Sequence, residues 1–97
     1  YPDVEREVRI LQSKLPGLDA VLAKQVARAV AYLRQSERVL KKPSIAESLD
    51  WASALIALGA AELDDETCEQ TIGFALKNHE DIKEIMADDE FIRCLVQ

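Results

Sequence analysis

Apolar residues recur along this chain at steps of three and four, the spacing of one helix face, and no useful length alternates with period two. The first such stripe consists of Val4, Val8, Leu11 and Leu15. Pro2 and Asp3 precede it as a first-turn proline and a capping acid, and Pro16–Gly17 breaks the pattern. The chain therefore begins with a predicted helix that ends near Leu15.

A longer amphipathic stripe follows and predicts a second helix of more than four turns. Its apolar positions are Leu18, Val21, Leu22, Val26, Ala29, Val30 and Leu33. Lys24, Arg28 and Arg34 lie off this stripe. We expect the helix to fray through "RQSERVLKK", because Pro43 disfavours a helical conformation at the residue before it.

"KKPSIAESLDW" marks the start of a third helix. Ser44 and Glu47 have the spacing of a capping box, and Gly59 is placed to end the helix. The apolar positions on one face are Ile45, Leu49, Ala52 and Ile56, with Trp51, Leu55 and Leu58 beside them. Because so much of the circumference is apolar or small, we predict that this is the central, most buried helix.

The C-terminal part predicts two or three shorter helices. Asp64 or Asp65 caps the first of them, and its stripe continues to about Lys77. A short helix follows in "NHEDIKEIM", then an acidic interruption at 88–90 and a final helical turn or two. The expected fold is an all-α bundle of five to six helices, with residues 1–97 forming a single domain.

Composition and charge limit the classes of function. The chain has 97 residues, of which 48% are hydrophobic and 31% charged, typical of a folded globular domain. Its net charge of −6 disfavours nucleic acids and anionic membrane surfaces as partners. No apolar run approaches the roughly 20 residues that a membrane span needs. The sequence starts at Tyr1 without a signal-peptide pattern, and we expect it to be part of a longer chain.

Few residues are candidates for chemistry. Gly17, Gly59 and Gly73 stand apart, so there is no Gly-rich phosphate loop, and no GxSxG motif occurs. Cys68 and Cys94 lie within apolar stripes, which favours core packing in a reduced, cytoplasmic protein over a disulfide or a metal site. The single histidine, His79, is expected at the surface beside a helix end. We expect most of the acids to cap helices or to lie on solvated faces, including Asp64, Asp65, Asp88 and Asp89.

The start of the third helix allows two interpretations. A helix N-terminus offers free amide groups and a favourable dipole to an anion, and Lys41 and Lys42 would add positive charge to such a site. The alternative is an ordinary capped helix after a solvated linker. Trp51 likewise is either a core anchor, the favoured interpretation, or an exposed contact residue.

Three segments carry a resemblance to a known family. These are "YPDVEREV", "KKPSIAESLDWASAL" and "TIGFALKNHEDI". Over about residues 1–86 the chain resembles the C-terminal helical lid of MoxR-type AAA+ ATPases, in the branch that includes the CoxD-like proteins. The resemblance implies a lid that closes the nucleotide site of its parent ATPase, with ATP and Mg bound by the parent chain and no catalytic residue in the lid itself. Lys41, Lys42 and Ser44 would then lie close to the nucleotide.

The same resemblance implies partners. A lid of this kind contacts the ATPase core of its own chain and neighbouring subunits, commonly in a hexamer. MoxR-type ATPases act as chaperone-like machines, often with a von Willebrand factor A domain protein, to mature or activate another protein complex. Many such lids place a phosphate-sensing arginine in the third helix, but this sequence has Ser44 or Ala46 there, depending on whether the proline or the helix cap is aligned.

Two other functions fit the residues without the resemblance. The leading alternative is a free-standing helical adaptor that binds a partner protein through an apolar groove. A DNA-binding helical domain is the second alternative, and the negative net charge of the chain disfavours it.

Overall fold

The computed structural model describes residues 2–95, and the side chains from Val4 onwards, as six α-helices and one 3₁₀ turn. The helices are α1 (Pro2–Lys14), α2 (Ala20–Gln35), α3 (Ile45–Leu58), α4 (Asp65–Thr71), α5 (His79–Met86) and α6 (Asp89–Leu95), and the 3₁₀ turn (Ile72–Phe74) follows α4. The predicted all-α bundle of five to six helices is confirmed. The capping role predicted for the Asp3 side chain lies outside the described residues, as does the chain after Leu95.

Helix α2, not α3, occupies the centre of the bundle. It packs against α1, α3 and α6, and its buried positions are Leu22, Ala23, Val26, Ala27, Ala29, Val30 and Leu33. On α3 only Ser48, Trp51, Ala52 and Leu55 are buried. The prediction that α3 is the most buried helix was wrong. Its apolar residues lie on several sides of the helix, and three of them, Ile45, Ile56 and Leu58, are between 40% and 50% exposed.

The ends of the helices follow local signals. Asp19 caps α2 by accepting from the amide of Val21, and Gly59 ends α3 in the left-handed conformation at φ 76°. Leu18 therefore precedes α2 rather than belonging to it, although its side chain is buried. Val21, which was predicted on the buried stripe, is 58% exposed. Helix α2 ends at Gln35, the second residue of the predicted fraying segment.

Helix α4 is shorter than predicted. Asp64 caps it, as one of the two predicted alternatives, and Thr67 completes a capping box with the Asp64 amide. The helix ends at Thr71 and tightens into the 3₁₀ turn, so it does not continue to Lys77. The Thr71 hydroxyl donates to the carbonyl of Thr67 and accepts from the Trp51 indole at 2.8 Å, which ties this turn to α3.

The core is continuous across the six helices. Trp51 and Phe91 are its largest fully buried side chains, so the predicted core role of Trp51 is confirmed. Helix α6 closes the bundle on α2, where the rings of Tyr32 and Phe91 meet at a centroid distance of 5.5 Å. Gln25 of α2 supports this arrangement by donating to the Leu95 carbonyl and accepting from the Leu63 amide.

Candidate functional site

The N-terminus of α3 is capped as predicted. The Ser44 amide donates to Glu47 Oε1 at 2.9 Å, and the Glu47 amide donates to Ser44 Oγ at 3.2 Å. Ile45 and Ala46 are exposed, and their amides make no hydrogen bond within residues 2–95. Two amide donors are therefore still available at this helix end, where the dipole favours an anion.

The Glu47 carboxylate shares that helix end. Its hydrogen bond from the Ser44 amide, together with the charges of Lys41 and Lys77, lowers the pKa of Glu47. Lys77 thus belongs to the electrostatic surroundings of this helix end, although it is 30 residues away from Glu47 in sequence and was not among the predicted site residues. The site therefore combines the charges of Lys41 and Lys77 and two free amides with the fixed carboxylate of Glu47.

Lys42 is engaged with the backbone. Its ammonium donates to the carbonyl of Val39 at 2.6 Å and to the carbonyl of Ser36. These carbonyls belong to the turn that follows α2, where no helical partner is available to them. Lys42 thus stabilises its own loop, which corrects the expectation that both lysine ammonium groups are simply solvated. Lys41 makes no such side-chain contact and is exposed.

A buried aspartate fixes the backbone at Lys41. Asp81 of α5 is 1% exposed, and its two carboxylate oxygens accept from the amides of Leu40 and Lys41, both at 3.0 Å. Sequence reasoning assigned no role to Asp81. Its position four residues before the buried Ile85 placed it on the apolar face of α5, and a polar residue on such a face is the signal that could have identified it.

A second buried carboxylate holds the other side of the same loop. Glu7 of α1 is 3% exposed and pairs with Arg34 at 2.6 Å, while the Arg34 Nε donates to the carbonyl of Pro43 at 3.0 Å. Arg34 also reaches the hydroxyl of Ser48 at 3.4 Å. Because α1, α2, α5 and α3 all contribute to this network, the nine-residue segment 36–44 is held in one position despite having no regular structure.

A separate cleft of about 580 Å³ lies between α2 and α6. Within it the Tyr32 hydroxyl donates to Asp88 Oδ2 at 2.6 Å, and the Glu90 amide donates to Asp88 Oδ1 at 3.0 Å. Burial and the hydrogen bond to Asp88 raise the pKa of Tyr32 to about 12. Burial alone would raise the pKa of Asp88, but the hydrogen bonds from Tyr32 and Glu90 outweigh it, and the pKa is lowered. Asp88, predicted as a cap or a solvated acid, caps α6 but is only 8% exposed.

The remaining candidate residues take structural positions. Cys68 is fully buried and Cys94 is half-buried, and both are free thiols. Burial, with the nearby acids Asp65 and Asp64, raises the pKa of Cys68 to about 12, so this thiol is not a nucleophile at neutral pH. His79 is exposed at the first position of α5, as predicted.

Two larger features are absent from the described part of the chain. No three His, Cys, Asp or Glu side chains in residues 2–95 are arranged to hold a metal ion. Over the same residues, no helix has the length and apolar character required to cross a membrane. Comparison with protein-family models, with curated proteins and with solved structures found no match to this chain.

Proposed function

We propose that this chain is the C-terminal lid of a MoxR-type AAA+ ATPase and that the N-terminus of α3 faces the nucleotide of the parent protein. The supporting observation is the helix end itself, where the amides of Ile45 and Ala46 are free and Lys41 is exposed beside them. Amides, dipole and a cation at one helix end favour a phosphate group. The sequence resemblance supplies the family, and the helix end supplies the chemistry.

Lys41 is the residue that we expect to act on the phosphates. Its ammonium is exposed, whereas that of Lys42 is bonded to the carbonyls of Ser36 and Val39. A lysine acts as a point charge and does not provide the bidentate fork of an arginine. The lid proposed here therefore contributes electrostatic attraction to nucleotide binding, without the directional contact that a sensor arginine at Ser44 or Ala46 would make.

The lid would contact the rest of the machine through its exposed apolar side chains. Ile45, Ile56 and Leu58 of α3 are 43%, 40% and 50% exposed, and Leu40 beside Lys41 is 80% exposed. These residues are suited to packing against the ATPase core of the same chain or against the next subunit of a hexamer. A von Willebrand factor A domain protein and a client complex are the further partners that this proposal implies, in a cytoplasmic chaperone-like machine.

The test compares single lysine substitutions in the full-length parent protein. Lys41→Ala should weaken nucleotide binding or lower the ATPase rate by about two- to fivefold, because one exposed charge interaction contributes on the order of 0.3–1 kcal/mol. Lys83→Ala on α5 is the matched control, since Lys83 is also exposed and lies outside the loop. The measurements are nucleotide titration and steady-state ATPase kinetics, with the oligomeric state checked in parallel.

The results separate the lid from the adaptor. If the assembly is intact and Lys41→Ala has the same nucleotide affinity and ATPase rate as Lys83→Ala, Lys41 does not act on the nucleotide. The segment 36–44 is then a structural linker. A parent chain without a phosphate-binding loop upstream of Tyr1 would exclude the lid altogether and favour the adaptor.

A further inference from the structure

Helix α3 carries a second uncharged face besides the one that it buries. The buried side chains lie together on one side of the helix: Ser48, Trp51, Ala52 and Leu55. At about 3.6 residues per turn, six further side chains fall within an arc of about 120° next to them, and none is charged: Ile45, Ala46, Leu49, Ser53, Ile56 and Ala57. We call these six side chains the outer face of α3.

The outer face is largely open to solvent. Five of its side chains are exposed, and only Leu49 is half-buried. The two charged residues of α3 lie off this face. Glu47 accepts from the Ser44 amide in the capping box, and Asp50 stands just beyond the edge of the arc. An uncharged helix face about 18 Å long is therefore left accessible on the part of the chain that the structure describes.

The order of large and small side chains makes the outer face complementary to itself. Two α3 helices can lie antiparallel, with the two-fold axis between them at the level of residue 51. Ile45 then lies opposite Ala57 of the second copy, Ile56 opposite Ala46, and Leu49 opposite Ser53. Because each large side chain meets a small one, the helix axes can approach to about 8–10 Å, the usual distance of packed helices. Binding of a foreign helix requires no such order, whereas self-pairing does.

From this complementarity we infer that the outer face of α3 binds the outer face of a second copy of this chain, in a symmetric antiparallel dimer. A face about 18 Å long and about 10 Å wide covers much less than the roughly 800 Å² that each partner buries in a stable complex, so we expect a dissociation constant between about 10 μM and 1 mM. The proposed lid would place Ile45 and Ile56 against its parent protein. The dimer does not rest on that function and forms where this face is uncovered.

Charge opposes this dimer, and Asp50 opposes it most directly. In the antiparallel arrangement the Asp50 residues of the two copies lie on the same side of the helix pair, only about 3 Å apart along the helix direction. Asp50 is exposed and forms no ion pair within residues 2–95, so no cation compensates their repulsion. The net charge of −6 on each copy acts in the same direction. Screening or removing negative charge should therefore strengthen the dimer.

The test is sedimentation velocity of the 97-residue chain at concentrations from about 10 μM to about 1 mM. We expect a reversible equilibrium between monomer and dimer, and the dimer should become at least twofold tighter between 50 and 300 mM NaCl. A chain that stays monomeric at the highest concentration would overturn the inference and leave the outer face to a different protein. Species larger than a dimer would also overturn it, because an isologous contact closes at two copies. So would a dimer that salt weakens.

Two pairs of variants locate the contact. Ile56→Gln should weaken the dimer at least tenfold, because both copies lose an apolar side chain from the interface. Its matched control is Val21→Gln, which changes an exposed β-branched residue of α2 and should alter the affinity less than twofold. Asp50→Asn should strengthen the dimer at least threefold, whereas Glu69→Gln, which removes one exposed negative charge from α4, should change the affinity less than twofold. Circular dichroism confirms the fold of each variant. Equal effects within either pair would refute the outer face as the contact.

Discussion

The buried pair of Glu7 and Arg34 gives the sharpest stability prediction. Arg34→Met keeps the aliphatic stem but removes the guanidinium, so the carboxylate of Glu7, 3% exposed, loses its partner at 2.6 Å. The substitution also frees the carbonyl of Pro43, which accepts from Arg34 Nε at 3.0 Å. We therefore expect a loss larger than that of an ordinary surface ion pair.

The magnitude follows from how far the pair is buried. Removing one partner of a buried ion pair typically costs about 3–5 kcal/mol, because the other charge stays in the protein without compensation. The Arg34 side chain is 29% exposed, so water can reach the vacated position and reduce that cost. We expect about 2–4 kcal/mol, which is a large share of the roughly 5–15 kcal/mol of a typical domain.

The measurement is urea unfolding followed by the fluorescence of Trp51, the only tryptophan. Arg9→Met is the matched control, because Arg9 is exposed and forms no ion pair within residues 2–95, and it should change the free energy of unfolding by less than about 0.5 kcal/mol. The double change Glu7→Met with Arg34→Met removes both charges and should cost less than Arg34→Met alone. If Arg34→Met is as stable as Arg9→Met, Glu7 is not dependent on Arg34 and the reasoning fails.

Four further predictions concern the core, the loop, a buried hydroxyl and catalysis. Trp51→Ala should cost about 3–5 kcal/mol in thermal unfolding, because the side chain is fully buried, and an unchanged melting curve would contradict its core position. Asp81→Ala should leave the amides of Leu40 and Lys41 without their acceptor and cost about 1–3 kcal/mol; hydrogen exchange at these two amides should accelerate, whereas unchanged exchange would refute the anchor. Because the pKa of Tyr32 is raised from 10.0 to about 12, the neutral hydroxyl stabilises the fold up to pH 10, and this contribution is lost between pH 10 and 12. In urea unfolding, Tyr32→Phe should lose less stability than the unchanged protein over that pH range. An equal loss in the two proteins would contradict the stabilising role of the hydroxyl. The isolated chain should show no ATPase activity and negligible ATP affinity, since it has no phosphate loop, and turnover that persists through rigorous purification would contradict this.

Local features of the fold could be predicted from the sequence because they depend on residues close together in the chain. The capping box of Ser44 and Glu47, the left-handed Gly59 and the cap at Asp64 each involve residues within a single turn or helix end. Thr71, where α4 ends, is instead tied to a residue 20 positions away, since the indole of Trp51 donates to the Thr71 hydroxyl. A continuing apolar stripe could reveal neither that contact nor the 3₁₀ turn that follows at Ile72, and the predicted helix was too long.

The order of burial among helices was harder to predict, because it depends on which elements surround which. Helix α3 packs against α1, α2, α4 and the 3₁₀ turn, and α2 packs against α1, α3 and α6, yet α2 has seven buried residues and α3 has four. The apolar Ile56 and Leu58 of α3 face a side where the bundle has no further helix within residues 2–95. Amphipathicity predicts that a helix is half-buried and does not predict how completely its neighbours cover it.

The candidate site shows the same limit. Lys41, Lys42 and Ser44 were predicted from their place before a helix start, whereas the carboxylates that hold their loop, Glu7 and Asp81, lie far away in sequence. Each of the two lies on the apolar face of its own helix, so a buried polar role was detectable in principle. The partner of each carboxylate could not be identified from the sequence, because that partner depends on packing between helices.

The way in which this loop is held bears on how a lid of this kind would work. The Asp81 carboxylate fixes the backbone of Lys41 from α5, and Arg34 fixes the carbonyl of Pro43 from α2 while it pairs with Glu7 of α1. A loop tied to three helices cannot reposition Lys41 without breaking hydrogen bonds to buried carboxylates, and each of these is costly to leave unpaired. If the N-terminus of α3 faces a nucleotide, the backbone of this loop therefore approaches or leaves the phosphates through rigid-body motion of the whole bundle, and only the exposed side chain of Lys41 moves independently. Loosening the loop, as in Asp81→Ala, would then impair nucleotide binding without removing any charge that contacts the nucleotide.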